Sequence, residues 1–162
     1  MTDDMKRVND IWNHPVYQEH LKKVLRWEKE RKFCRHTVEH FLDTARLTYI
    51  YTLEEGLGIP KDIIYAAALL HDIGRHLQYE EGIPHEKASA AVAEGILSGC
   101  GYTKPECECI LGAILNHRKK TQTSDFSALF YKADKMSRCC FSCPVQEECD
   151  WPAEKKNLNI QY

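Results

Sequence analysis

Residues 69–76 read LLHDIGRH, so an imidazole and a carboxylate, His71 and Asp72, stand side by side at the end of the apolar run IIYAAALL. Two chemistries suit such a pair. His71 could close a helix while Asp72 opens a turn ending at Gly74. Alternatively, both could bind a metal ion. Asp134 bears on the choice, because it falls four residues after Phe130 and eight after Phe126, on one apolar helical stripe. A carboxylate buried there needs a cation, an arginine partner or hydrogen-bond donors. His117 follows Ile114 by three residues, Ala113 by four and Ile110 by seven, which aims it inward as well. A neutral core histidine bonded to a backbone carbonyl is its other reading. His36 and His40 are four apart, hence on one helix face, where a half-exposed surface pair is the alternative. His85 follows GIP, where a helix should begin, and would also suit a loop. Together, imidazoles and carboxylates of this kind suit zinc, iron, manganese and similar divalent ions. His40, His71, Asp72 and Asp134 would hold one ion with positions left open, and His85 and His117 supply enough donors for two. His14, His20 and His76 have no comparable placement and are expected on the surface.

The elements that must position these residues are helical. Periodicity near 3.6 dominates the chain, and no convincing strand alternation occurs. A first helix starts at NHPVYQEH, with Asn13 as cap, Pro15 in the first turn, and Leu21, Val24 and Leu25 as its apolar stripe. A second spans about Cys34 to Glu55, with Val38, Phe41, Leu42, Ala45, Tyr49 and Thr52 on its inner face, and ends at GLGIP. The third, Lys61 to about His71, is apolar nearly all round and should be central. GRHLQYEEGIP reads as a loop. A fourth helix runs from His85 or Glu86 to about Ser98, a fifth from Glu106 to about Arg118, and a sixth from Phe126 to about Ser137, capped by Ser124 or Asp125. The expectation is an all-α bundle of about six helices over residues 1–138, followed by an irregular cysteine-rich appendage over 139–162.

Size and composition set bounds. The chain has 162 residues, enough for one domain with a sizeable core. A net charge of −2 gives no basic field for nucleic acid. The longest apolar run, Ile63 to Leu70, is too short to span a bilayer, and the first ten residues lack a signal-peptide core. A cytoplasmic protein without a membrane partner is expected; assembly into a homo-oligomer is left open. Eight cysteines are many for a reducing compartment. Cys139 and Cys140, then Cys143 and Cys149, crowd an aperiodic segment. Zinc, an iron–sulfur cluster, free thiols and a disulfide are all open readings, with a fourth metal ligand drawn from Cys139, Cys34, Cys107 or Cys109. The Cys140-x2-Cys143-x5-Cys149 spacing resembles the C-terminal triplet of certain iron–sulfur nucleases.

His40, His71–Asp72 and Asp134, in that order, resemble the H…HD…D pattern of the HD-domain superfamily of metal-dependent phosphohydrolases. HFLDTARL is similar to that family's first-histidine helix, LLHDIGR to its central helix and turn, and AILNHRKKTQTSDFSALFYKADKMSR to the final segment of symmetrical dinucleoside-tetraphosphatase-like members. The resemblance covers about residues 34–138. It implies an HD-type helical bundle with one or two divalent transition metals (iron, manganese, zinc, cobalt or nickel). His40, His71, Asp72 and Asp134 would be ligands of the first ion, and His85 and His117 match the extra histidines of binuclear members. Cyclic-nucleotide phosphodiesterases, distant relatives, place a histidine that acts as general acid four residues before the first ligand, where His36 stands. Arg75, four residues after His71, would fork onto phosphate oxygens in a position where lysine is common, and Arg118 would assist it. Hydrolysis of a nucleotide or other small phosphate ester, with His36, Asp72 and Arg75 as catalytic residues, is therefore the first expectation. A di-iron oxygenase using the same ligands, and a non-enzymatic sensor or interaction module, are the alternatives.

Overall fold

The structure is a computed structural model and describes residues 3–162. Eight α-helices and no strand occur among the described residues: α1 (Lys6–Asn13), α2 (Pro15–Glu28), α3 (Val38–Glu54), α4 (Lys61–Leu70), α5 (Arg75–Glu81), α6 (His85–Gly99), α7 (Lys104–Asn116) and α8 (Asp125–Met136). The class is all-α, with two more helices than expected. One is α1, amphipathic with Val8 and Ile11 buried. The other is α5, which occupies GRHLQYEEGIP; Gly82 ends it at φ +71°. Its buried residues are the polar Arg75 and His76, so hydropathy gives no sign of it.

α4 is the central element. Ile63, Ile64, Ala66, Ala67, Ala68, Leu69 and Leu70 are all buried, and the helix packs between α3 and α7. Three alanines in a row let neighbouring backbones approach closely. α8 lies along α3, and α6 pairs with both α5 and α7. Several helices begin at a side-chain cap. The ring of His14, not Asn13, accepts the Val16 N–H ahead of α2. Thr103 and Glu106 form a reciprocal capping box on α7, and Ser124 Oγ accepts the Ser127 N–H on α8.

The buried faces differ from the expected ones in two places. On α2 the inward line is Tyr17, Leu21, Val24 and Glu28, while Leu25 is exposed. On α3 it is His40, Phe41, Thr44, Ala45, Thr48, Tyr51 and Thr52, with Val38, Leu42 and Tyr49 at its flanks. Threonines occupy the middle of that face, and Thr48 bonds its hydroxyl to the Thr44 carbonyl. A face rich in threonine is nearly invisible to hydropathy. His76 is also a correction: it is buried, 2.7 Å from the His20 ring and 3.2 Å from Glu80.

The C-terminal segment is a chain of short 3₁₀ turns, Cys140–Ser142, Gln146–Glu148 and Ala153–Lys155. Asn157 Nδ2 donates to the Lys135 and Arg138 carbonyls, which fastens the segment beneath the end of α8. No helix is long and apolar enough to cross a membrane among the described residues.

Candidate metal centre

Two helix C-termini deliver two imidazoles. His71 follows α4 and His117 follows α7, and in each case Nδ1 meets a carbonyl of the preceding turn: Ala68 at 2.7 Å and Ile114 at 2.6 Å. A carbonyl can only accept, so Nδ1 carries a proton and Nε2 is the nitrogen turned toward the centre as the prospective ligand. The same logic holds at two more rings. His85 Nδ1 lies 2.7 Å from Gln78 Oε1, an oxygen that also accepts the His85 backbone N–H. His40 Nδ1 lies 3.0 Å from Ser137 Oγ, whose hydroxyl is given to the Asp134 carbonyl. Four histidines from four elements thus point Nε2 at one small volume.

Asp72 sits in the middle of that volume. Its Oδ2 lies 3.0 Å from His71 Nε2 and 3.6 Å from His40 Nε2. Its Oδ1 lies 3.2 Å from His85 Nε2 and 3.5 Å from His117 Nε2. Asp134 Oδ1 completes the first side, 3.1 Å from His40 and 3.4 Å from His71. Two donor sets result: His40, His71, Asp72 and Asp134, and Asp72, His85 and His117, the donor atoms of each within 4.8 Å of one another. Asp72 belongs to both.

These residues fit a divalent ion. His40 Nε2, His71 Nε2 and Asp72 Oδ1 are buried and have no hydrogen-bond partner among the described residues. Lone pairs facing lone pairs without water cost free energy unless a cation lies between them. The charges agree. Burial alone would push the Asp72 and Asp134 carboxyls up, but the surrounding imidazoles hold both well below the usual carboxylate range. Burial alone would make His71 harder to protonate, yet Asp72 and Asp134 outweigh it and carry its pKa up to about 10. Metal binding would displace that proton.

His36 is not on α3, which starts at Val38. It lies in the approach to that helix, buried, with Nε2 3.8 Å from Asp72 Oδ2. Glu28 holds it there. Glu28 Oε2 accepts the His36 backbone N–H at 2.8 Å and meets Nδ1 at 2.9 Å. The other Glu28 oxygen accepts from Tyr79 Oη at 2.8 Å, and Tyr79 Oη in turn accepts from Arg75 and Arg31. Sequence reasoning missed Glu28, although its phase with Tyr17, Leu21 and Val24 marks it as inward. It also missed Tyr79 and Gln78, which stand on the unexpected α5. Arg75 is buried beside His85, with Nη1 3.3 Å from the ring. Arg118 sits at the rim, half exposed and 3.3 Å from Glu86. Cys139, Cys140, Cys143 and Cys149 belong to neither donor set and line a second cavity, although Cys149 also borders the first.

The centre opens into a cavity of about 760 Å³, whose walls include Arg31, Arg75, Lys132 and Arg138 from the bundle and Trp151 and Lys155 from the C-terminal segment. With this geometry stands a family match: the model of the HD domain matches residues 37–140, from the cap of α3 through α8. The chain belongs to the HD-domain family. Glu28 and His36 fall just outside the matched HD span. This HD-domain protein is 48% identical over 158 residues to an uncharacterized protein of Clostridium beijerinckii, covering 98% of this chain and 100% of that one. Its fold is similar to the 1.45 Å crystal structure of a predicted HD superfamily hydrolase from an uncultured Thermotogales bacterium. There the TM-score is 0.63 at 23% identity, over 89% of this chain and 83% of the other.

Proposed function

We propose that this HD-domain protein is a metal-dependent phosphohydrolase acting on a small phosphorylated molecule, a nucleotide first among them. The observation that supports it most is the shared Asp72: one carboxylate serves two donor sets at the floor of a cation-walled cavity. The Thermotogales protein of similar fold is described as a predicted HD superfamily hydrolase, which agrees with the reading.

His40, His71, Asp72 and Asp134 would hold one divalent ion, and Asp72, His85 and His117 a second. Such ions supply Lewis acidity and an acidified water at neutral pH. The chain's own groups do the rest. Phosphate esters are anionic and resist attack, so catalysis depends on neutralising and orienting the phosphoryl oxygens. Arg75 is suited to this, with its guanidinium bonded to Tyr79 Oη, and Lys135, whose Nζ reaches both Asp134 and the His117 carbonyl, lines the same cavity. Arg118 is at the mouth, where it would meet a distal phosphate. His36 handles a proton. Burial lowers its pKa to about 4, so at neutral pH Nε2 is free to take a proton and return it to the leaving oxygen. Tyr131 and Trp151 offer aromatic faces in a cavity whose volume suits a nucleotide.

A panel of nucleoside phosphates, dinucleotides and simple esters tests this. Phosphate or nucleotide release should need a divalent metal and fall at least about 100-fold in His71→Ala and Asp72→Ala proteins that keep their helicity. Undiminished release after chelation would contradict it, as would oxygen uptake without any phosphate release.

A further inference from the structure

Cys34 and the C-terminal cysteines are more than a hundred residues apart in sequence, yet they line one cavity of about 410 Å³, which adjoins the larger one over the metal centre: Cys34 and Cys149 border both. Cys34 comes from the loop between α2 and α3; Cys140, Cys143 and Cys149 come from the 3₁₀ turns. Their electrostatics reflect the closeness: burial raises the Cys34 thiol pKa, Arg138 opposes this, and Cys140 and Cys149 add to it. All four are free thiols. Cys140 is buried and Cys34, Cys143 and Cys149 are half-buried, whereas Cys139 is exposed. Cys107 and Cys109 sit on α7 against the core, away from this cavity.

We infer that Cys34, Cys140, Cys143 and Cys149 ligate an iron–sulfur cluster that ties the C-terminal segment to the His36 loop. Three observations carry this. First, the segment around these cysteines has almost no apolar core of its own, with Phe141 and Val145 at or near the surface, and is held by a few polar contacts such as those of Asn157 and Lys156, which a cluster would reinforce. Second, the spacing is too wide for one ion. Tetrahedral zinc sets its sulfurs about 3.8 Å apart, given Zn–S bonds of about 2.3 Å. Among the described residues, no three of these sulfurs lie within 4.8 Å of one another. A cluster in which each thiolate binds a different iron spreads its ligands wider. Third, the surroundings favour a negative centre. The charged lining is Lys32, Arg35, Arg138 and Lys156 against the carboxylate of Asp43; Lys32 is paired with Glu148, which leaves Arg35, Arg138 and Lys156 in excess, and Cys149 Sγ already accepts the Trp151 N–H at 3.5 Å. Four thiolates and an iron–sulfide core carry net negative charge, which those cations balance.

The placement has a consequence for the neighbouring site. Cys34 is two residues before His36, and Cys149 two before Trp151, which lines the larger cavity. The cluster would therefore fix both the His36 approach and one wall of the metal centre. The inference is independent of the reaction proposed above.

Full-length protein purified without oxygen, and a second sample incubated with ferrous iron and sulfide, decide it. Acid-labile sulfide is the key readout, because histidine and carboxylate ligands hold iron without sulfide. The expected result is about four sulfides per chain together with visible absorption. Both should be lost in Cys34→Ser and Cys149→Ser and kept in Cys139→Ser and Cys107→Ser, with the tail becoming protease-sensitive only in the first pair. Absence of sulfide in both wild-type samples overturns the cluster, whether or not zinc is bound in its stead. Sulfide kept in Cys34→Ser but lost in Cys139→Ser overturns the assignment of the fourth ligand.

Discussion

Glu28 grips His36 twice: one carboxylate oxygen takes both the backbone N–H, at 2.8 Å, and the Nδ1 proton, at 2.9 Å. That contact joins the end of α2 to the entrance of α3 and fixes which nitrogen of His36 faces the cavity. Burial opposes ionisation of Glu28, but the bonds from His36 and Tyr79 win and hold its pKa at about 2. Glu28 is thus a positioning residue, anionic throughout the working range.

Glu28→Gln should reduce kcat by about 10- to 100-fold while KM changes little, because an orienting partner is lost and the pocket stays intact. The pH profile separates this from a merely structural effect. Glu28 raises the His36 pKa against burial, so its neutralisation should move the acidic limb of kcat/KM to lower pH. An unmoved limb with an equal loss of activity would point to general disruption.

Gly74 explains how the turn after Asp72 fits at all. A Cβ there would lie on the backbone of α6, 2.6 Å from the Ala88 carbonyl carbon, and Gly74 N–H already donates to Ser89 Oγ at 2.9 Å. Gly74→Ala should cost about 2–3 kcal/mol or more, since backbone rather than a flexible side chain must move. It should also depress activity, because Asp72 and Arg75 flank the turn and His85 begins the displaced helix. Chemical denaturation and turnover measured together check both.

A third expectation concerns acid stability, far from the site. Arg7 bonds Asp62 and Glu106 at once and lies 4.1 Å over the Tyr102 ring, tying α1 to α4 and α7. The Arg7 guanidinium, helped by the Thr103 N–H, lowers the Glu106 pKa from its usual 4.5 to about 2. A carboxylate with a depressed folded pKa stabilises fully above its unfolded value and loses that contribution as pH falls. The Glu106 share should be complete well above pH 4.5 and lost as pH falls to and below about 2, reduced in size by solvent at this partly exposed group. Glu106→Gln should flatten that part of the stability curve, and Arg7→Met should cost about 1–3 kcal/mol at neutral pH. Equilibrium denaturation across pH 2–6 measures both.

How much of this could be read from sequence depends on what signals burial. Asp134 and His117 were legible as inward-facing because each continues a run of Phe, Ile or Ala at helical spacing. α4 was legible because it is apolar all round. Glu28 obeys the same spacing, but a charged residue at the end of a lysine-rich helix looks like solvent-facing surface. α5 escaped because its buried residues are an arginine and a histidine and it is only seven residues long. His76 escaped for a related reason: its partners, His20 and Glu80, are themselves polar. The helical class follows from local periodicity, whereas the meeting of Cys34 with Cys149 depends on how the chain's two ends cross, which no local pattern encodes.

The central claim is that six side chains form two cation sites sharing Asp72. Its most direct test is anomalous scattering from a crystal equilibrated with manganese. Two peaks should appear, one among His40, His71, Asp72 and Asp134 and the other among Asp72, His85 and His117, with the second absent in His85→Ala. No peak within reach of Asp72 at saturating manganese would contradict the account.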